Sequence, residues 1–306
     1  MAIRFDDRVV IVTGSGNGLG RSHALEFARR GARVVVNDLG AARDGSGASS
    51  DAANAVVKQI VDEGGEAMAN GANVADYGQV EAMVAQAVDR WGRVDVLVNN
   101  AGILRDKTFA KMDLADFQLV LDVHLKGSVN CTKAVWELMR ERQYGRIVMT
   151  SSSSGLYGNF GQTNYGAAKM ALVGFMNSLA LEGQKYGIRV NSLAPIAATR
   201  MTQDLMTEAV LGLLEPEAVT PAVIFLASED APTRQILAAG AGVFARVVLQ
   251  ETEGVFLPQD RRDAEHIADM WDQISDPAGG VELQVGGEQT MKFLQKAAAQ
   301  LGLKLG

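Results

Sequence analysis

Tyr165 and Lys169 stand four residues apart in Tyr165-Gly166-Ala167-Ala168-Lys169, with Ser152 13 residues upstream of the tyrosine. A spacing of four places a phenol and an ammonium on one face of a helix. An adjacent cation favours phenolate over phenol, and free tyrosine titrates near ~10, so a tyrosine that moves a proton to or from an alcohol oxygen needs such tuning. A helix carrying one Tyr and one Lys is common, so the pair gains meaning from what accompanies it. That company is Ser152 and a glycine-rich turn, Thr13-Gly14-Ser15-Gly16-Asn17-Gly18-Leu19-Gly20, directly after the first apolar run.

A glycine-rich turn between strand and helix lets backbone N–H groups approach a pyrophosphate closely. Gly14, Gly18 and Gly20 are the candidates, with three residues between the first two instead of the one in the commonest dinucleotide fingerprint. Asp38 lies 20 residues past Gly18, at the end of the second apolar run. A carboxylate there binds the adenosine ribose diol and repels a 2′-phosphate, so NAD is expected over NADP. The alternative is a turn residue preceding Leu39-Gly40.

The elements that must position these groups alternate between strand-like and helix-like segments, which predicts an α/β fold: a parallel sheet covered on both faces. Val9–Val12, Arg33–Asp38, Val94–Val98, Arg146–Thr150 and Ile188–Leu193 read as strands. Helices are expected at Leu19–Arg30, Asp51–Glu63, Tyr77–Trp91, from an Asp113 cap to Arg142, and at Thr163–Tyr186. After about residue 250 the pattern gives way to two amphipathic stretches, Asp263–Ile274 and Glu288–Leu301. Residues 1–250 are therefore expected to carry the site and 251–306 to form a helical extension.

The net charge of −7 argues against nucleic acid as the main partner. One Cys, Cys131, excludes an intrachain disulfide, and with three His it leaves no basis for a zinc cluster, so no metal is expected. No apolar run reaches ~18 residues, so no membrane span is expected. Met1-Ala2-Ile3-Arg4 runs straight into a charged stretch, and Leu303-Lys304-Leu305-Gly306 is not a peroxisomal tripeptide; a cytoplasmic location without a signal peptide is the expectation.

The motifs Thr13-Gly14-x-x-x-Gly18-x-Gly20, Asn99-Asn100-Ala101-Gly102, Ser152 and Tyr165-x-x-x-Lys169, in that order, resemble the short-chain dehydrogenase/reductase family over about residues 6 to 250. Val36–Gly40, Asn100–Asp106, Gly155–Gln162 and Trp271–Ile274 further resemble one branch, the (3R)-hydroxyacyl-CoA dehydrogenase part of peroxisomal multifunctional enzyme type 2 and its stand-alone bacterial relatives. The resemblance implies a Rossmann-type doubly wound sheet of about seven strands and a homodimer. It implies that Tyr165 exchanges the proton, that Ser152 hydrogen-bonds the same oxygen, and that Lys169 binds the nicotinamide ribose and lowers the Tyr165 pKa. Gly14, Gly18, Leu19, Gly20, Asp38, Asn73, Val74, Asn100, Ala101, Gly102, Tyr165, Lys169, Pro195 and Thr199 are the implied NAD contacts. Asn99 and Asn100 would supply the ribose region and a sheet-stabilising amide. Asn73 stands where the family usually has Asp, and Pro195 is followed by Ile196 instead of Gly. Where the family's catalytic set usually has Asn, this chain has His124, which could hold the same water, relay the proton, or simply pack.

The branch implies hydride transfer from a (3R)-3-hydroxyacyl-CoA to NAD. Arg105, Lys107, Lys111 and Arg200 could face the CoA charges or be solvated surface groups; Leu156, Tyr157, Phe160 and Met201 could line an acyl pocket or pack in the core. A hydroxysteroid or sterol side-chain CoA ester, a carrier-protein-bound ketoacyl chain, and an inactive NAD-binding regulator remain as alternatives. The extension, anchored by Trp271, could cover the cleft or reach across a dimer.

Overall fold

The computed structural model describes residues 2–197 and 208–305. The chain divides into two compact units, residues 1–246 and 247–306.

The first unit is built on one sheet in the order β3-β2-β1-β4-β5-β6-β7-β8. The strands are β1 (Val9–Thr13), β2 (Arg33–Asn37), β3 (Glu66–Asn70), β4 (Val96–Asn99), β5 (Gly145–Thr150), β6 (Ile188–Pro195), β7 (Ile236–Gly240) and β8 (Val243–Val247). Strands β1 to β7 pair in parallel. Parallel strands covered on both faces read as unbroken apolar runs, and every residue of Val9–Thr13 and Gly145–Thr150 is buried. The sheet has eight strands where about seven were expected. The additional one closes a hairpin over Ala241-Gly242, both at positive φ. Tight hairpins of that geometry advertise themselves by Asn-Gly or Asp-Gly, and alanine gave no such signal.

Helices α1 (Gly18–Arg29), α2 (Asp51–Asp62), α3 (Tyr77–Trp91), α4 (Leu114–Leu121), α5 (Gly127–Arg142), α6 (Ser153–Tyr157), α7 (Thr163–Gly183), α8 (Glu208–Leu213) and α9 (Thr220–Leu226) belong to this unit. Helix α3 starts where Asp76 accepts from the Gln79 N–H at 3.2 Å while the Gln79 amide returns a bond to Asp76, and it stops at Gly92 with φ 75°. The long helix expected from Asp113 to Arg142 is interrupted by a π-turn, Asp122–Lys126, between α4 and α5. Asp113 occupies the cap position, but its carboxylate makes no cap bond and pairs with Lys107 at 3.4 Å. Helix α7 buries Asn164, Ala168, Lys169, Leu172, Val173, Met176, Leu179, Ala180 and Gly183. That three-and-four spacing is one helical face, and Lys169 is on it.

The sheet order reverses at β1. The crevice between the C-terminal ends of β1 and β4 is a topological switch point, where open α/β sheets bind ligands.

In the second unit, the stretch expected as one helix over Asp263–Ile274 is two, α10 (Ala264–Asp269) and α11 (Trp271–Ile274), separated at Met270. Helix α12 spans Gly286–Leu301. Lys292 and Lys296 of α12 pair with Glu251 at 2.8 Å and Glu253 at 2.9 Å. Trp271 is 59% exposed.

His23 on α1 is fully buried, with Nδ1 2.8 Å from the Thr220 hydroxyl of α9 and Nε2 unpartnered. Burial pushes its pKa from 6.5 down to about 3. As pH falls below 6.5 the unfolded chain binds this proton first, so the stability is full above pH 6.5 and is lost towards pH 3. One such group costs ~1.4 kcal/mol per pH unit in that window. Urea unfolding at pH 6.5 and 5.5 is therefore expected to show a smaller loss of stability in His23→Gln than in the unmodified protein; equal losses would contradict this.

Candidate active site

Ser152, Tyr165 and Lys169 converge at the C-terminal end of β5. Ser152 follows that strand and begins α6, its hydroxyl accepting the Ser154 N–H at 3.2 Å. The same hydroxyl is the neighbour whose hydrogen-bonding influence lowers the Tyr165 pKa. Lys169 is 3% exposed, donates from Nζ to the Thr150 carbonyl at 2.6 Å, and lies 5.4 Å from the centre of the Tyr165 ring.

The electrostatics differ from the expected lowering of the phenol pKa. Burial pushes Tyr165 up to about 12, Ser152 pulls it down, and nearby Asp106 pushes it up. Burial pushes Lys169 down to about 7. The physical reason is that desolvation penalises both charged forms, anion and cation alike. Tyr165 is thus held as an acid, and Lys169 is divided between amine and ammonium near neutrality.

His124 lies in the π-turn, 2% exposed, with its ring edge-on to Tyr165 at 5.2 Å between centres. A π-turn re-aims a side chain within a helix and recurs at functional sites. Its Nε2 is 3.1 Å from the Ile103 N–H and 2.9 Å from the Ile103 carbonyl. One nitrogen serves one of these roles in a given tautomer, and in either case Nδ1 is left buried and unpartnered. Burial, reinforced by Lys169, lowers the His124 pKa to about 3, so the imidazole is neutral.

The glycine turn fits a dinucleotide. Gly14 and Gly18 have φ 64° and 53°. A methyl on Gly20 would sit 2.3 Å from the Gly14 carbonyl, so only glycine allows the approach of turn and helix. No acidic residue occupies the first turn of α1, and Asn17 makes no side-chain cap, which leaves N–H groups for an anion. Leu19 is half-buried and packs on the core. Asp38 accepts the Gly16 N–H and the Gly40 N–H, both at 2.7 Å, one on each oxygen. Each oxygen retains a lone pair for a diol.

Asn100 donates to the carbonyls of Thr13 and Gly14 at 2.9 and 3.0 Å, the sheet-stabilising role. The N–H groups of Asn100 and Ala101 both donate to the Thr13 hydroxyl at 3.0 Å. Asn99 is the last residue of β4, and its amide faces inward to Thr132 and Met149. Gly102 lies against His124: a methyl there would meet the imidazole at 2.3 Å. Asn73 is half-buried beyond β3 and its amide oxygen accepts the Ala75 N–H; Val74 is buried. Pro195 ends β6. Thr199, Arg200 and Met201 lie outside the described residues.

Arg105 and Lys107 both pair with Asp116, at 3.0 and 3.1 Å. Lys111 is exposed. Leu156 is half-buried, whereas Tyr157 is 74% and Phe160 88% exposed, so core packing does not account for these two rings. Three contributors escaped the sequence reading: the Thr13 hydroxyl; the fully buried Asn164, which links the Arg105 carbonyl to the Tyr165 N–H; and Gln162, which joins Ser154, Asn159 and Asp106. A polar residue ending an apolar strand was the available signal for the first. Among the described residues there is no cluster of metal-ligating side chains, and no helix is long and apolar enough to cross a membrane.

The family model described as short chain dehydrogenase matches residues 8–209. A short-chain type dehydrogenase/reductase of Mycobacterium tuberculosis is 49% identical over 89% of this chain and 96% of its own length. The full-length peroxisomal multifunctional enzyme type 2 of Drosophila melanogaster superposes with TM-score 0.80 at 36% identity, over 96% of this chain and 50% of that one. A 7α-hydroxysteroid dehydrogenase, solved with NADH and 7-oxo glycochenodeoxycholic acid, superposes with TM-score 0.71 at 30% identity, over 78% of this chain and 95% of that one. The chain spans 31% to 61% of the length of the multifunctional relatives it matches.

The Gly102–His124 contact makes a double-mutant cycle informative. Gly102→Ala is expected to cost about 1–3 kcal/mol through overpacking, and most of that cost should vanish in a His124→Ala background. Urea unfolding of the four proteins checks it; an undiminished cost would contradict the packing described.

Proposed function

The chain belongs to the short chain dehydrogenase family, and we propose that within it the protein oxidises a (3R)-3-hydroxyacyl-CoA to the 3-ketoacyl-CoA with NAD. It is an oxidoreductase acting on CH–OH donors. The observation that carries the choice of NAD is the clasp on Asp38, whose carboxylate is fixed by Gly16 and Gly40 beside the glycine turn. A fixed anion there favours a ribose diol and opposes a 2′-phosphate. The acyl-CoA reading is supported by the multifunctional enzymes among the relatives and by the exposed Tyr157 and Phe160 that follow Ser152 on α6 and the next loop. A hydroxysteroid is the second reading, favoured by the likeness to the 7α-hydroxysteroid dehydrogenase.

When bound, the oxidised nicotinamide supplies the hydride acceptor. The Ser152 hydroxyl holds the substrate oxygen and stabilises its developing charge. Tyr165 exchanges the proton with that oxygen. Lys169, with Nζ 5.4 Å from the Tyr165 ring centre and near its midpoint at pH 7, is the neighbouring group able to take up or return the proton that Tyr165 exchanges. His124 stays neutral, and its unpartnered Nδ1 would make one hydrogen bond, as acceptor or donor, with a water beside this group. A homodimer and a cytoplasmic location complete the reading; light scattering and fractionation test them.

Purified protein with NAD and (3R)-3-hydroxyacyl-CoA is expected to form NADH, with the (3S) ester and NADP giving little. Tyr165→Phe should lower turnover by about 10²-fold or more while still binding NADH. Activity with a hydroxysteroid and none with either ester would transfer the assignment to the second reading.

A further inference from the structure

Two loops meet above the glycine turn. The loop after β2 bends back on itself, with Ala42 N–H bonded to the Ser46 carbonyl at 2.7 Å and Gly45 N–H to the Ala42 carbonyl at 3.0 Å. The segment after β4 continues from Gly102 through Ile103 and Leu104 to Arg105. Leu104 N–H donates to the Arg43 carbonyl at 3.1 Å, and Arg105 Nε donates to the Asp44 carbonyl at 2.6 Å. Gly45 lies against the Ile103 side chain, where a methyl would come within 3.2 Å.

Strands β2 and β4 are not neighbours, because β1 lies between them. A link between the segments that leave them must span roughly 10 Å, two strand spacings, beyond the C-terminal end of β1. That end carries the glycine turn. One side of the crossing is fixed by Asp38 to Gly16, the other by Asn100 to Gly14. The free end of the Arg105 guanidinium is held by Asp116 of α4 at 3.0 Å. Arg105 therefore joins α4 to the loop after β2, using two in-plane donors of one guanidinium.

We propose that Arg105 is a positioning residue that fastens a strap across the dinucleotide crevice and so sets how fast the cofactor leaves. The inference rests on the dinucleotide reading of the glycine turn. Arg105 touches no reacting atom in this account; it acts through the backbone of residues 43–45. Removing it frees the Asp44 carbonyl and removes one of the links of the strap, beside the Leu104–Arg43 bond and the Ile103–Gly45 contact. Lysine at the same position keeps a charge for Asp116 but lacks the second, fixed donor.

The test preloads the full chain with NADH, mixes it with excess NAD, and follows the loss of NADH fluorescence in the unmodified protein, Arg105→Ala and Arg105→Lys. NADH exit is expected to be about 10-fold faster in Arg105→Ala, the scale of one charge-assisted hydrogen bond, and intermediate in Arg105→Lys. KM for NAD should rise with it while single-turnover hydride transfer stays unchanged, a split that general loss of stability does not produce. Arg105→Lys carries the comparison if the alanine variant does not fold. Bound NADH leaving all three proteins at one rate would overturn the strap alone. An unmodified protein that binds no NADH would overturn the cofactor reading, and the strap with it.

Discussion

An ammonium buried beside a phenol governs this site. Lys169 is carried inward by the apolar face of α7, between Ala168 and Leu172, and meets the Thr150 carbonyl at 2.6 Å. A charged group in that position is penalised by lost solvation. The result is a lysine near its midpoint at pH 7, a tyrosine held protonated, and a histidine held neutral. The three titrating groups are set by one cause, exclusion of water, more than by attraction between them. The geometry needs α7 packed closely against β5 and β6, which the buried strands provide.

The cofactor side depends on a different constraint, close approach of backbone. The Thr13 hydroxyl accepts two N–H groups from the segment after β4, and Asn100 returns two bonds to the end of β1. These bonds hold the two strand ends at a distance where Gly14, Gly20 and Gly102 have no room for a side chain. Gly102 and His124 tie this crevice to the catalytic groups: glycine at one position makes space for the imidazole at the other, and the π-turn aims that imidazole at Tyr165.

Much of this was legible in the residues. The four-residue spacing of Tyr165 and Lys169, the glycine turn and the acid at the end of β2 all fall where the pattern put them. What escaped has physical reasons. A π-turn adds one residue to a helix without a distinctive composition, so the long helix read as continuous. Spacing shows that a cation is near a phenol but not that both are dehydrated, so the Tyr165 shift had the opposite direction. The pairing of Arg105 and Lys107 with Asp116 was not legible because Asp116 lies 11 and 9 residues further on, across a turn of chain that sequence alone does not fold. The β7–β8 hairpin was hidden by an alanine in a turn position that asparagine or aspartate usually marks.

Burial, not pairing, sets the charge state of the site. A carbon-13 shift titration of the Lys169 side chain in the ligand-free protein, assigned by its absence from Lys169→Met, tests this most directly. A midpoint near 7 is expected. A midpoint at the ordinary lysine value of 10.5 would contradict it.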